Sequence, residues 1–288
     1  MRLSDAVRLA TLAAIWGAAF IFIRVAAPVL GPAWIAEGRL LIGGAALLAW
    51  FRLSGFDARW REDWRFHAVV GIVGAAIPFA LYGYAGAHLP ASTMAFLNTT
   101  TPMFALLMGA ALREERITWS KVTGLIVGSA GVWFLMEGAA TDTDLASAAT
   151  LPATAACLCA SLAYASTALI VRRYGRNVPP RGTAVGAQLW GALILLPLLP
   201  IVPPHGVLTG VVLANLLALG LLASGVAYLL YFRLIADIGV TRTQTVSLLV
   251  PAFGLLWGAL FLGEAITLAT IAGGALIVAG TALVMRGR

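Results

Sequence analysis

Asn98, Thr99, Thr101 and Pro102 form a short polar set inside a long apolar stretch, and Gln244, Ser247 and Pro251 form a second such set. Within each, residues three and four apart share a helix face, as Met94, Asn98, Thr101 and Pro102 do in the first. Amides and hydroxyls in this arrangement are binding groups: they donate and accept hydrogen bonds without carrying charge. Each proline withholds its N–H from the carbonyl four residues back, so Pro102 frees the carbonyl of Asn98 and Pro251 that of Ser247. Away from water such a carbonyl needs another partner, from protein, solvent or a bound molecule. The alternative for Asn98, Thr99, Thr100 and Ser247 is that they bond their own helix or a neighbour. The recurrence of the pattern at matching places favours a cavity.

Other side chains point to the same chemistry. Tyr82, Tyr84 and His88 share one apolar stretch and Ser224, Tyr228 and Tyr231 another, with Trp16 and Tyr164 as further aromatic lining. Arg24, Glu37 and Arg39 are ionisable residues inside apolar runs, which makes them functional candidates. For Glu37 a structural tie to Arg24 or Arg39 is the leading reading, ahead of substrate contact. Asp237 is expected to bond Arg233 or Arg242. Catalytic signatures are missing: there is no H-E-x-x-H, no G-x-S-x-G, no acidic metal cluster and no phosphate-binding glycine loop. Cys157 and Cys159 have a spacing that suits neither zinc nor a redox pair and read as packing residues. No catalytic residue, metal or cofactor is expected.

The elements that must position these residues follow from composition. The chain of 288 residues is 61% hydrophobic and 11% charged, with mean hydropathy +0.94, whereas about a quarter of residues are charged in soluble domains. A bilayer-spanning helix needs roughly 20 apolar residues. Runs of that kind occupy residues 7–27, 32–52, 66–87, 91–112, 120–137, 150–172, 182–201, 208–232, 240–262 and 267–286. They are long and continuously apolar, unlike the short alternating strands of a β-barrel. The first run is read as a retained span, because no A-x-A site follows it as in a signal peptide.

Charge orients the bundle. Of the 19 Lys and Arg residues, all except Arg24 and Arg39 fall in the ends and alternate loops that lie on one side, the cytoplasmic side by the positive-inside rule. The loops at 28–32, 87–90, 138–149, 203–207 and 263–266 contain none, and Asp142, Asp144 and Glu264 fall there. The net charge of +7 is accounted for by topology and not by nucleic-acid binding. Trp34, Trp50, Trp60 and Trp64 read as anchors at the membrane interface. The expected fold is an all-α integral membrane protein of ten transmembrane helices with both termini cytoplasmic.

The chain also repeats itself. PMFALLMGAALREERITWSKVTGLIVGSAGVWFLM at 102–136 aligns without a gap on PAFGLLWGALFLGEAITLATIAGGALIVAGTALVM at 251–285, an offset of 149 residues. Pro102 meets Pro251, Glu115 meets Glu264, Thr118 meets Thr267, Gly124 meets Gly273 and Gly131 meets Gly280, and Asn98 falls opposite Ser247. The units are expected at 1–138 and 149–288, joined by an external linker at 139–148. An odd number of helices per unit inverts the second unit relative to the first, an arrangement typical of secondary transporters with a site between the halves. Small-residue spacings at Gly124 and Gly128, and at Gly273 or Gly274 and Gly280, suit close helix packing. They mark the last helix of each unit as a brace without substrate contact.

AIWGAAFIFIR at 14–24, EGRLLIGGAALL at 37–48, TPMFALLMGAALREERIT at 101–118 and VPAFGLLWGALFLGEAIT at 250–267 resemble the drug/metabolite transporter superfamily. Nearly the whole chain resembles its EamA-domain exporters with ten helices, and bacterial exporters of aromatic and other amino acids are the most similar. One departure is Arg113-Glu114-Glu115 where the second copy has Leu262-Gly263-Glu264. Arg39 matches the family's helix 2 arginine. The resemblance implies export of a small-molecule substrate, foremost amino acids, from a monomer in the lipid bilayer of the bacterial inner membrane. Efflux of lipophilic cations by proton antiport usually wants a central carboxylate, and the first run offers Trp16 instead. Uptake is the remaining alternative, and a membrane-embedded enzyme lacks its nucleophile or metal cluster.

Overall fold

A computed structural model describes residues 2–57, 59, 62–141 and 148–286. The expectations for Trp60, Arg61, Asp142, Asp144, Arg288 and most of the 139–148 linker lie outside them. All regular structure among the described residues is helical. In chain order the helices are α1 (Leu3–Leu53), α2 (Trp64–Gly71), α3 (Ile77–Gly86), α4 (Ala91–Asn98), α5 (Thr101–Ala111), α6 (Trp119–Thr141) and α7 (Thr150–Tyr174). They continue as α8 (Pro180–Leu195), α9 (Gly210–Gly220), α10 (Ala227–Ile238), α11 (Val240–Thr243), α12 (Val246–Leu262) and α13 (Leu268–Arg286). Large apolar side chains look outward, with Ile126, Trp133, Leu260 and Phe261 each 64–69% exposed. In water such a surface would aggregate, and in a bilayer it is the lipid contact.

Seven described helical stretches are long and apolar enough to cross a membrane, α2 with α3, α4 with α5 and α9 with α10 each counting as one, against the ten expected. The difference has local causes. α1 counts once at 51 residues, which at 1.5 Å per residue is about 75 Å, more than twice the hydrocarbon thickness. Pro28 and Pro32 bracket Gly31, whose φ of 74° and ψ of 172° interrupt the helix and divide α1 into two limbs. Only glycine adopts that backbone readily. The amides of His205 and Gly206 close the break by donating to the Val29 carbonyl at 2.8 and 3.0 Å. α8 stops early, at a 3-10 turn containing Pro197, and α12 is a shorter apolar helix of 17 residues.

The repeat is visible in the backbone. A π-helical segment at Ile72–Ala76 joins α2 to α3, and another at Leu221–Val226 joins α9 to α10. They begin 149 residues apart, at the offset of the sequence repeat. The breaks ahead of the prolines are not equivalent. The first separates α4 from α5 at Thr99–Thr100, with Pro102 in the first turn of α5. The second falls at Gln244–Thr245, and Pro251 sits buried within an unbroken α12.

α6 and α13 pack backbone to backbone as the brace that their glycines predict. A Cβ on Gly280 would lie 2.5 Å from the Gly124 carbonyl oxygen, and one on Gly131 would lie 2.6 Å from that of Gly273. These two contacts exchange under the 149-residue offset, so the pair is built on an internal two-fold relation.

Candidate functional site

A cavity of about 480 Å³ lies between the two repeats. Trp16, Ala19, Phe20 and Ile23 reach it from the first limb of α1, and Arg39 reaches it from the second. Phe79 and Tyr82 come from α3, Asn98 from the end of α4, and Thr101, Pro102 and Ala105 from α5. From the second half come Tyr164, Ala165 and Ala168 on α7, Tyr228 on α10, Gln244, then Val246, Ser247 and Val250 on α12, with Met285 on α13. Several lining positions are repeat counterparts: Phe79 with Tyr228, Asn98 with Ser247, Thr101 with Val250 and Trp16 with Ala165. The cavity is assembled from the same positions of both copies.

Hydrogen bonds fix the polar members. Tyr82 Oη donates to Asn98 Oδ1 at 3.0 Å, and Trp16 Nε1 donates to the Ala223 carbonyl at 3.2 Å. Thr101 Oγ1 donates to the carbonyl of Asn98 at 2.8 Å, so the acceptor freed by Pro102 is taken by the next turn. Ser247 Oγ donates to the Gln244 carbonyl at 2.9 Å. The rings pack around them, Phe20 edge-on to Tyr82 with centroids 5.6 Å apart and Tyr82 stacked on Tyr164 at 6.3 Å. Arg39 is the one charged side chain among the described lining residues. Its Nε donates to Ser224 Oγ at 3.0 Å and its guanidinium lies 3.8 Å above the Phe79 ring. No described lining residue pairs a nucleophile with a base. The arrangement can hold an apolar or aromatic body between rings, with amide and hydroxyl groups and one cation for the polar end.

Nine of the expected residues meet there: Trp16, Tyr82, Asn98, Thr101, Pro102, Tyr164, Tyr228, Gln244 and Ser247, and Arg39 joins them. Tyr231 stands one layer behind, its ring 5.6 Å from Trp16 and its hydroxyl accepting from Gln244 Nε2 at 3.3 Å. Thr99 does not line the cavity; it is buried and bonds the Ala95 carbonyl, which is the own-helix alternative. Tyr84 and His88 pack against each other with tilted rings, centroids 4.9 Å apart, away from the lining. Pro251 lines no part of it. Arg24 donates to the Gly86 carbonyl at 3.0 Å.

The proposed Glu37 tie is corrected. Glu37 is 2% exposed, and neither carboxylate oxygen has a hydrogen-bond partner among the described residues. Residues two apart on a helix lie about 200° apart around it, so Glu37 and Arg39 look in opposite directions. Asp237 does pair with Arg233, at 2.9 Å, but its second partner is Arg8 at 2.8 Å and not Arg242. Met285 corrects the expectation that the last helix stays clear of the cavity. Phe20, Ile23, Phe79, Ala105, Ala168 and Val250 were not anticipated. Each of these sits three, four or seven residues from an expected one, so extending the same helical faces finds them, whereas Ala165 and Val246, beside Tyr164 and Ser247, are missed by that rule.

The two ends of the bundle are closed differently. At one end Glu264 caps α4, accepting from the amides of Ala91 at 2.5 Å and Ser92 at 3.1 Å and from the Ser92 hydroxyl at 2.7 Å. Its repeat counterpart Glu115, at the other end, accepts from Lys121 Nζ at 3.0 Å within its own half. A cleft lined by Glu115, Lys121 and Arg172 shares Pro102, Ala105, Ala168 and Met285 with the central cavity, so the cavity continues toward the basic end. Beside this cleft Glu114 pairs with Arg172 and Arg173, and the hydrogen bond from Arg173 holds its carboxyl below the usual carboxylate range.

The profile of the EamA-like transporter family matches residues 6–137 and again residues 151–286. The chain belongs to the EamA-like transporter family. It is therefore a multi-pass transporter of the inner membrane and not an enzyme. Among its relatives is a probable terminal-alkyne amino-acid exporter of Streptantibioticus cattleyicolor, 29% identical over 289 residues, covering 99% of this chain and 95% of the relative. A probable amino-acid metabolite efflux pump of Salmonella typhimurium is 25% identical, with 92% and 89% covered. An uncharacterized transporter of Archaeoglobus fulgidus is 26% identical, with 95% of each covered. A solved crystal structure superposes with a TM-score of 0.68 at 21% identity, covering 98% of this chain and 96% of that one, and bears on the fold alone.

Proposed function

We propose that this EamA-like transporter exports small metabolites, amino acids with aromatic or apolar side chains foremost, by alternating access through the central cavity. In this reading the chain crosses the membrane ten times, the two limbs of α1 counting separately and α8 and α12 included, with both termini in the cytoplasm. The inverted units are 1–138 and 149–288, and a monomer holds the complete site.

The lining carries the reading. Six aromatic rings, those of Trp16, Phe20, Phe79, Tyr82, Tyr164 and Tyr228, surround a few fixed polar groups. Such a surface suits an apolar side chain on a polar head, and a volume of about 480 Å³ suits one small molecule. The names of two relatives support the amino-acid class. Efflux of lipophilic cations is disfavoured, because Arg39 and no carboxylate lines the cavity among the described residues.

Counterflow tests this. Liposomes containing only the purified protein are preloaded with one amino acid at a time and given labelled phenylalanine outside, with no ion gradient. Label is expected to accumulate, and Trp16→Ala and Asn98→Ala should each reduce the rate several-fold with membrane insertion intact. Folded protein that accumulates no label, whichever amino acid is inside, overturns the substrate class. Normal flux in both variants overturns the cavity as the transport site.

A further inference from the structure

Arg39 is 9% exposed, and its partners among the described residues are neutral: the Ser224 hydroxyl and the Phe79 ring. A guanidinium has five N–H donors. Ser224 uses the Nε donor, and the terminal nitrogens have no protein acceptor among the described residues. No described carboxylate forms an ion pair with it, and Glu37 lies on the opposite side of α1. A buried cation without a counter-ion is costly inside a membrane protein. The structure nevertheless holds this one at the cavity wall, between the Ser224 hydroxyl and the Phe79 ring. The repeat counterpart of Arg39 is Gln188, which does not line the cavity, so the charge is placed on one side only.

The rest of the lining offers nothing comparable to a cation. Asn98 Oδ1 already accepts from Tyr82, and the hydroxyls of Thr101 and Ser247 are turned to backbone carbonyls. A substrate ammonium would meet neutral groups and the repulsion of Arg39. A carboxylate would supply the missing counter-ion in the planar, two-toothed geometry that a guanidinium prefers.

We propose that the substrate's anionic group binds Arg39, with Ser224 and Phe79 as positioning residues, and that the substrates are apolar or aromatic carboxylates in which an ammonium group is not required. This rests on the assignment of the cavity as the transport site. The amino acids are then one branch of a wider class, recognised through the carboxylate and the side chain.

Three probes test it on the wild-type protein: phenylalanine, 3-phenylpropionate, which lacks the ammonium, and phenethylamine, which lacks the carboxylate. Each is scored as an unlabelled competitor of phenylalanine counterflow and by the rise in melting temperature of the solubilised protein. Phenylalanine and 3-phenylpropionate are expected to act at similar concentrations, and phenethylamine to need at least about tenfold more. Arg39→Gln should abolish the response to 3-phenylpropionate, and Arg39→Lys should restore part of it, a rescue that a structural role would not give. Phenethylamine acting as well as 3-phenylpropionate on the wild type overturns the inference, whether or not the variants fold. An undiminished response to 3-phenylpropionate in folded Arg39→Gln overturns it too. If 3-phenylpropionate stabilises the protein while phenylalanine gives no counterflow, the amino-acid reading alone fails. No response to any probe from folded protein overturns both.

Discussion

Glu37 shows how a single residue resists a reading by sequence. Its two oxygens are buried without partners among the described residues, and an orphaned carboxyl costs about 1–3 kcal/mol or more in desolvation. Replacing it with an apolar group of similar length removes that cost. Glu37→Leu is therefore expected to insert normally and to raise the melting temperature in detergent by about 2–4 °C. A fall instead would show that the carboxyl has a stabilising partner. Helical spacing already placed Glu37 and Arg39 on different faces, so the failure of that pair was legible in the sequence. Which of the two faces looks into the cavity was not, because an apolar helix wall and an apolar lipid face are written in the same residue types. The aromatic and amide lining was easier to find: polar groups in an apolar run are rare, and Asn98 and Ser247 occur at matching places.

At the scale of elements, glycine sets how closely helices approach. α6 and α13 meet where a Cβ on Gly280 would strike the backbone of Gly124 and Gly128, which can yield only if a whole helix moves. Gly225 lies in the second π segment, and its nearest neighbours to an added Cβ are at 3.7 and 3.8 Å, ordinary contact distances. Gly280→Ala should destabilise the protein by about 1–3 kcal/mol, and Gly225→Ala should be neutral or gain up to about 1 kcal/mol. Thermal unfolding of the two variants side by side checks this, and equal melting temperatures would deny the backbone contact. The small-residue spacing that marks this brace was readable. The π segments were not, since in Ile72–Ala76 and Leu221–Val226 nearly every residue is small or apolar and carries no periodic signal. The position of the second break was not readable either, because Pro251 looks the same in sequence as Pro102. A proline inside a helix can be absorbed by a bend, and here the interruption falls at Gln244–Thr245, about one turn ahead of the place that matches Thr99–Thr100.

For the whole molecule, the repeat was written in its Pro, Glu, Thr and Gly positions, and the asymmetry between its copies was not. The same glutamate does two things. Glu264 reaches across to the other half and caps α4, while Glu115 bonds Lys121 in its own half beside an open cleft. On the proposed topology the capped end is external and the open end cytoplasmic, so Glu264 acts as a latch on the closed outer side. The three hydrogen bonds to its carboxylate are of the charge-assisted kind, worth about 1.5–3 kcal/mol each, and about 1.4 kcal/mol shifts a two-state population tenfold. In a chain with Cys157 and Cys159 replaced by Ala, Ser247→Cys should react with an impermeant thiol reagent from the cytoplasmic side and resist it from outside. Adding Glu264→Ala should raise outside labelling by about tenfold or more, because release of one bond already reaches that shift. Labelling confined to the cytoplasmic side with or without Glu264 would remove the latch, and labelling of the parent from outside alone would invert the topology.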